Sequence, residues 1–155
     1  MIIRKATEKD LNILNELQIG LAKYERKIVP ISLDPESVRE KYYKNYQKKI
    51  KNRNCVFFIA EEKGKTVGYI FGKIEEPEHY YIYKKRGFIV DAFVLEKYRG
   101  KGIGEKLARR LMAWFRSRGI KWYRVSAYVK NKPGVKFWKK MGFKDYVIWL
   151  DKINE

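Results

Sequence analysis

Cysteine and histidine are almost missing from this chain of 155 residues, which has one of each, Cys55 and His79. A single cysteine excludes an internal disulfide, and no His, Cys and carboxylate cluster has metal-ligand spacing, so no metal site is predicted. Proline is scarce as well, at four residues, while 45% of the chain is hydrophobic and 15% aromatic, which excludes the polar, Pro-rich signature of disorder. No stretch approaches the roughly 20 apolar residues that cross a bilayer. The N-terminus, Met1-Ile2-Ile3-Arg4-Lys5, meets charge too early for a signal-peptide hydrophobic region. The expectation is a cytoplasmic protein without a membrane partner. Its length fits one domain over residues 1–155, with one site.

Acidic residues are outnumbered two to one, 18 against 36 Lys and Arg, for a net charge of +18. Such a potential attracts anionic ligands and disfavours a highly cationic substrate. It leaves association with nucleic acid or a nucleoprotein open. The basic residues run from Arg4 to Lys152 without forming a tail, however, and Lys beside abundant Glu also suits a heat-adapted surface. Cys55 precedes the apolar run Val56-Phe57-Phe58-Ile59 and has no neighbouring base, which favours a small core residue over a catalytic thiol.

Ile2–Lys5 reads as a first strand. Thr7 and Asp10 then form a capping-box pattern ahead of Leu11, Leu14, Leu17 and Leu21 at helical spacing. Asp34-Pro35 opens a second helix through about Ile50, whose tyrosines Tyr42, Tyr43 and Tyr46 read as a solvated amphipathic face or a substrate wall. Strands at 56–62 and 66–74 flank Lys63-Gly64-Lys65 as a tight hairpin. A polar and aromatic loop, 76–83, precedes a strand from Phe88 to Leu95. After a glycine-rich turn, Ile103, Leu107, Leu111, Trp114 and Phe115 keep helical spacing as far as Gly119. A strand from Trp122 to Val129, a short helix from Pro133 and a last strand from Tyr146 to Leu150 complete the chain. The pattern is α/β: a mixed sheet packed between helices.

The turn Arg99-Gly100-Lys101-Gly102-Ile103-Gly104 lies between a strand and a helix, so unprotected amides gather at the positive end of a helix dipole. Glycine lets the main chain approach an oxyanion, and Arg99 and Lys101 add charge suited to a diphosphate. A Walker loop would place Lys and then Ser or Thr after the last glycine, where this chain has Glu105. A dinucleotide fingerprint sits near the first strand and has an acid on the next one, and the strand from Trp122 has none.

One helix and one strand later comes Asn131-Lys132-Pro133-Gly134-Val135-Lys136-Phe137-Trp138-Lys139-Lys140-Met141-Gly142-Phe143. With both segments in this order, nearly the whole chain resembles the GCN5-related N-acetyltransferase (GNAT) family. The resemblance implies a mostly antiparallel central sheet of about six strands flanked by about four helices. It also implies acetyl-CoA as cosubstrate, transfer of acetyl to a primary amine by direct attack, and a homodimer as a plausible assembly. Arg99, Gly100, Lys101, Gly102, Ile103 and Gly104 match the family's pyrophosphate cradle. Phe93 and Val94 match positions whose main-chain groups bond the pantetheine arm, with the thioester oxygen near the Val94 amide, and Asn131 matches an asparagine that contacts that arm.

Where many relatives have a tyrosine that protonates the leaving thiolate, this chain has Trp138, whose indole nitrogen is not a practical acid. Either another group or water serves the sulfur, or the chain is a non-catalytic binder of CoA thioesters that acts as a regulator. Asp91 resembles the aspartate of polyamine-acetylating relatives, and strand alternation puts it on one face with Ile89 and Phe93; an ion pair across the sheet is the competing reading. Tyr128 reads as a substitute hydroxyl or as aromatic packing. His79 reads as a solvated loop residue or a base. Tyr80, Tyr81 and Tyr83 suit an acceptor pocket or a cap on the sheet edge.

Overall fold

The computed structural model describes residues 1–154. Five strands form one sheet in the order β1 (Ile2–Lys5), β2 (Cys55–Glu62), β3 (Lys65–Glu75), β4 (Arg86–Val94) and β5 (Tyr123–Val125). The first four pair antiparallel, and β5 joins β4 in parallel. Around them lie α1 (Leu11–Arg26), α2 (Arg39–Ile50), α3 (Ile103–Ser117) and α4 (Lys132–Lys140).

The apolar run in β2 is buried along its whole length because helices cover both faces of the sheet. Val56, Phe58 and Ala60 pack with Ile70, Leu107, Leu111 and Phe115 on one face. Phe57 and Ile59 pack with Leu14, Leu17, Tyr46, Tyr69 and Phe71 on the other. Side chains thus alternate between two cores, as the pleat requires. On the first face α3 lies close to the strands, since a Cβ at Gly72 would come within 2.5 Å of Leu111 and one at Gly87 within 2.8 Å of Phe115.

The Thr7 amide donates to Asp10 Oδ2 at 2.8 Å, as the capping pattern anticipated, and Arg4 grips the same carboxylate through both terminal nitrogens at 2.9 and 2.8 Å. This cross-link ties β1 to the start of α1. Pro35 opens a 3₁₀ turn over Pro35–Val38, so the α-helical part of the second helix begins at Arg39.

Two expected strands are corrected. The strand predicted over Trp122–Val129 holds its ladder only at Tyr123–Val125, because β4 offers it partners only from Gly87 to Ile89. The last strand, Tyr146–Leu150, does not form: these five residues are 61–90% exposed and carry no regular structure. The sheet therefore has five strands where about six were expected.

Candidate active site

The site begins where two parallel strands stop being neighbours. β5 ends its pairing at Val125 opposite Ile89, while β4 continues to Val94 with β3 on one side alone. Opposite β4, Phe71 pairs with Asp91 and Gly72 with Ile89, so Val90 is an extra, bulged residue. The bulge overturns the expected common face of Ile89, Asp91 and Phe93. Ile89 packs in the core beneath α3, whereas Val90 and Phe93 pack toward α1 and α2, and Asp91 meets Tyr46 of α2.

A cavity of about 70 Å³ occupies the split, lined by Glu25, Asp91, Ala92, Ser126, Tyr128, Asn131 and Trp138 among others. That is room for a few waters or a narrow polar chain. Asp91 lines the cavity yet is hemmed in by protein, and this burial raises its pKa above the ordinary carboxylate range, although the Tyr46 hydroxyl opposes the rise by donating to Oδ2 at 2.5 Å. Glu25, in the last turn of α1, is pushed up to about 7 by desolvation and then by the nearby charge of Asp91. Burial also raises the hydroxyl pKa values of Tyr42 and Tyr128, and both feel the charge of Glu25. Two carboxylates, Glu25 and Asp91, and the Tyr128 phenol thus line one small space, each with its pKa raised by burial.

The glycine-rich turn follows the end of β4 and opens α3. Gly100 and Gly102 have φ of +75° and +76°, and nothing lies within 4 Å of a Cβ built on either, so conformation rather than room selects glycine. Lys106 N–H donates to the Gly102 carbonyl at 3.1 Å as the first bond of α3, which leaves the amides of Ile103, Gly104 and Glu105 directed outward from the helix start. Arg99 folds back: its Nε donates to the Val94 carbonyl at 2.7 Å, and its guanidinium lies over the rings of Tyr24 and Phe93 at 5.2 and 5.3 Å. Lys101 stays on the turn, over Tyr98 at 5.4 Å and next to the lysines of the β2–β3 hairpin.

Leu95 N–H donates to the Val67 carbonyl on β3 at 2.9 Å. Main-chain groups alternate sides along a strand, so the amide of Val94 points toward the split. The same alternation directs the main-chain groups of Phe93 toward Tyr69, its partner on β3. Asn131 caps α4: its Oδ1 accepts from the Gly134 amide at 3.2 Å and from the Tyr24 hydroxyl at 2.9 Å. Trp138 is 9% exposed and wedged between Phe137 and Phe143, an apolar wall for the cavity.

Other sequence candidates lie elsewhere. His79 packs edge-on against Tyr80 in an exposed loop, and Tyr81 and Tyr83 lean on Trp122, none of them lining the cavity. Cys55 is buried at the start of β2, where desolvation raises its thiol pKa, as suits a core residue. Glu25 is the residue that sequence reasoning missed. Its signal was weak: an acid in the last turn of a helix, where the dipole disfavours negative charge.

Residues 21–143 match the Acetyltransferase (GNAT) family. Over 121 residues the chain is 31% identical to an N-alpha-acetyltransferase of Sulfurisphaera tokodaii, covering 74% of this chain and 72% of that protein. In three dimensions it is similar to a predicted acetyltransferase from Clostridium acetobutylicum solved with acetyl-CoA (TM-score 0.77, 23% identity, 98% and 95% of the two chains). It is also similar to a GCN5-related N-acetyltransferase from Ralstonia eutropha (TM-score 0.80, 20% identity, 98% and 97%). The split β4–β5 pair, the amide-lined turn and these likenesses agree, and the chain belongs to the GNAT acetyltransferase family.

Proposed function

We propose that this chain transfers the acetyl group of acetyl-CoA to the free α-amine of a protein or peptide, with Glu25 as general base. The observation that carries this reading is the convergence of Glu25, Asp91 and Tyr128 on the split beside β4. The amides of 103–105 together with Lys101 would hold the pyrophosphate, and the pantetheine arm would run along β4 toward the Val94 amide, past Asn131.

In the reaction the amine nitrogen forms a bond to the thioester carbon, and the carbonyl oxygen takes up negative charge facing the Val94 N–H. Glu25, with a pKa of about 7, accepts the amine proton directly or through a water. The C–S bond then breaks and the sulfur leaves with the electron pair. Tyr128 keeps its proton at neutral pH, since burial raises its pKa, and so offers the departing sulfur a hydrogen bond. A thiol of pKa about 8.5 leaves as a thiolate without needing a stronger acid at Trp138.

Two considerations favour an α-amine over a lysine side chain. With a pKa of about 7.7–8.0, an α-amine is partly uncharged near neutrality, within reach of a base such as Glu25, whereas a lysine amine near 10.4 is not. The Sulfurisphaera relative is named for N-alpha acetylation. A net charge of +18 further selects neutral or acidic sequences next to that amine, and disfavours polyamines.

Release of free thiol from acetyl-CoA, measured with peptides that carry a free α-amine, an N-blocked lysine peptide and a polyamine, tests the proposal. Turnover should be highest with acidic or neutral free-amine peptides. Tight acetyl-CoA binding with silence across the panel would overturn it in favour of the non-catalytic regulator.

A further inference from the structure

We propose that Tyr24, in the last turn of α1, is a positioning residue for the cofactor: its hydroxyl sets the Asn131 amide and its ring sets the Arg99 guanidinium. The inference rests on the reading that acetyl-CoA occupies the split beside β4. Gly20 and Tyr24, four residues apart, share one face of α1, and Leu21 and Glu25 share the next. The second pair lines the cavity. The first pair faces the end of β4, where a Cβ at Gly20 would come within 3.0 Å of the Phe93 ring and the Arg99 guanidinium lies 5.2 Å from the centre of the Tyr24 ring.

The hydroxyl acts on Asn131. A backbone N–H can only donate, so the Gly134 amide, 3.2 Å away, fixes Oδ1 as the end of the Asn131 side chain that faces it. The Tyr24 hydroxyl donates to the same oxygen at 2.9 Å, from 107 residues earlier in the chain. Both lone pairs of Oδ1 are then used, and what Asn131 can offer a ligand is Nδ2, a donor. Asn131 lines the cavity, and the amide carbonyls of a pantetheine arm are the acceptors that suit such a donor. Gly134 permits the arrangement, since a Cβ there would come within 2.5 Å of Nδ2.

The ring acts on Arg99. The guanidinium lies over Tyr24 and Phe93, at 5.2 and 5.3 Å, while its Nε is engaged by the Val94 carbonyl at 2.7 Å. The two terminal nitrogens are left as the fork that phosphate oxygens accept. Arg99 is otherwise exposed, and a long exposed side chain loses rotamer freedom when it meets an anion. Two aromatic faces and one hydrogen bond restrict that freedom beforehand, which favours binding of a diphosphate. A single side chain thus ties the turn before α3 to the cap of α4, one residue ahead of Glu25.

Tyr24→Phe keeps the ring and deletes the donor, whereas Tyr24→Leu deletes both. The test is calorimetric titration of the full chain with CoA and with ADP, which carries the diphosphate without the arm. Tyr24→Phe should weaken CoA binding about fivefold, the effect of one hydrogen bond, and leave ADP binding unchanged; Tyr24→Leu should weaken both. Asn131→Asp keeps an oxygen for Gly134 and Tyr24 but removes the Nδ2 donor, so adding Tyr24→Phe to it should cost no further affinity for CoA. In steady-state rates Tyr24→Phe should raise KM for acetyl-CoA and leave KM for the acceptor amine in place, a split that loss of fold does not produce. Equal CoA affinity in Tyr24→Phe and the wild type would overturn the proposal while leaving the acetyl-CoA reading intact. So would a Tyr24→Phe penalty that persists undiminished beside Asn131→Asp. A wild-type chain that binds no CoA would overturn both.

Discussion

The Tyr46 hydroxyl on α2 donates to Asp91 Oδ2 on β4 at 2.5 Å and stands 2.9 Å from the Tyr69 hydroxyl on β3. A helix thus holds a carboxylate at the floor of the active-site split, through a phenol that is itself buried. The bond stabilises the charged form of Asp91 and so opposes the rise in pKa that burial imposes. In the proposed mechanism Tyr46 would act as a positioning residue through Asp91.

Replacing Tyr46 by Phe removes that donor. The pKa of Asp91 should rise further, and because its negative charge helps to hold the Glu25 pKa up, the acid limb of the pH–rate profile should move to lower pH as Asp91 becomes neutral. The Tyr69 hydroxyl loses its partner in the core, which costs about 1–3 kcal/mol of stability. A merely structural role would lower the melting temperature and leave the pH profile in place.

Glu25→Gln should lower kcat about 100-fold or more, and the activity that remains should no longer rise through pH about 7. Stability should move the other way. Because the folded-state pKa of Glu25 is raised, folding is favoured while the group is protonated, and that advantage disappears as pH rises through about 7. Above that pH the amide avoids an ionised, partly buried carboxylate, so the variant should be more stable by roughly 1 kcal/mol after allowance for solvent screening. Thermal unfolding on either side of neutrality, beside steady-state rates, checks both halves.

Gly102→Ala places a Cβ at φ of +76°, at a cost of about 1–2 kcal/mol in strain but with no clash. The strain should be relieved by a shift of the amides at the start of α3. The expected outcome is a rise in KM for acetyl-CoA of about tenfold, equivalent to roughly 1.4 kcal/mol, with kcat much less affected. Calorimetric titration with CoA separates this from loss of fold.

Asp10 has a lowered pKa, first through its hydrogen bonds from Arg4, against the penalty of burial. A depressed carboxylate contributes stability above its unfolded-state pKa and loses it as pH falls through the folded-state value. Asp10→Asn should therefore destabilise the protein at neutral pH, by about 1–3 kcal/mol, with the deficit shrinking in acid. Denaturant unfolding at neutral and acidic pH gives the comparison.

Local chemistry was legible wherever the chain alone decides the outcome. The helical spacing of Leu11, Leu14, Leu17 and Leu21, the hairpin around Lys63-Gly64-Lys65 and the capping pattern of Thr7 and Asp10 all depend on residues close in sequence, and the structure holds each of them. The glycine-rich turn was legible for the same reason, since its amides and its positive φ angles belong to one short segment. Glu25 was not, because its raised proton affinity comes from burial by other parts of the fold and then from the charge of Asp91, 66 residues away. The face occupied by Ile89 was misjudged because a bulge at Val90 is fixed by register with β3 and leaves no mark in strand composition.

The sequence by itself determined that this chain has a glycine-rich helix start with unprotected amides, an apolar stretch at 146–150 and a tryptophan at 138 in place of a hydroxyl. Tertiary structure alone decided which carboxylates share a cavity, which way β4 turns its side chains after Val90, and that the 146–150 segment stays exposed. The division follows from range. Propensity, spacing and glycine conformation act over a few residues, whereas desolvation, register and strand pairing depend on what the rest of the chain brings alongside.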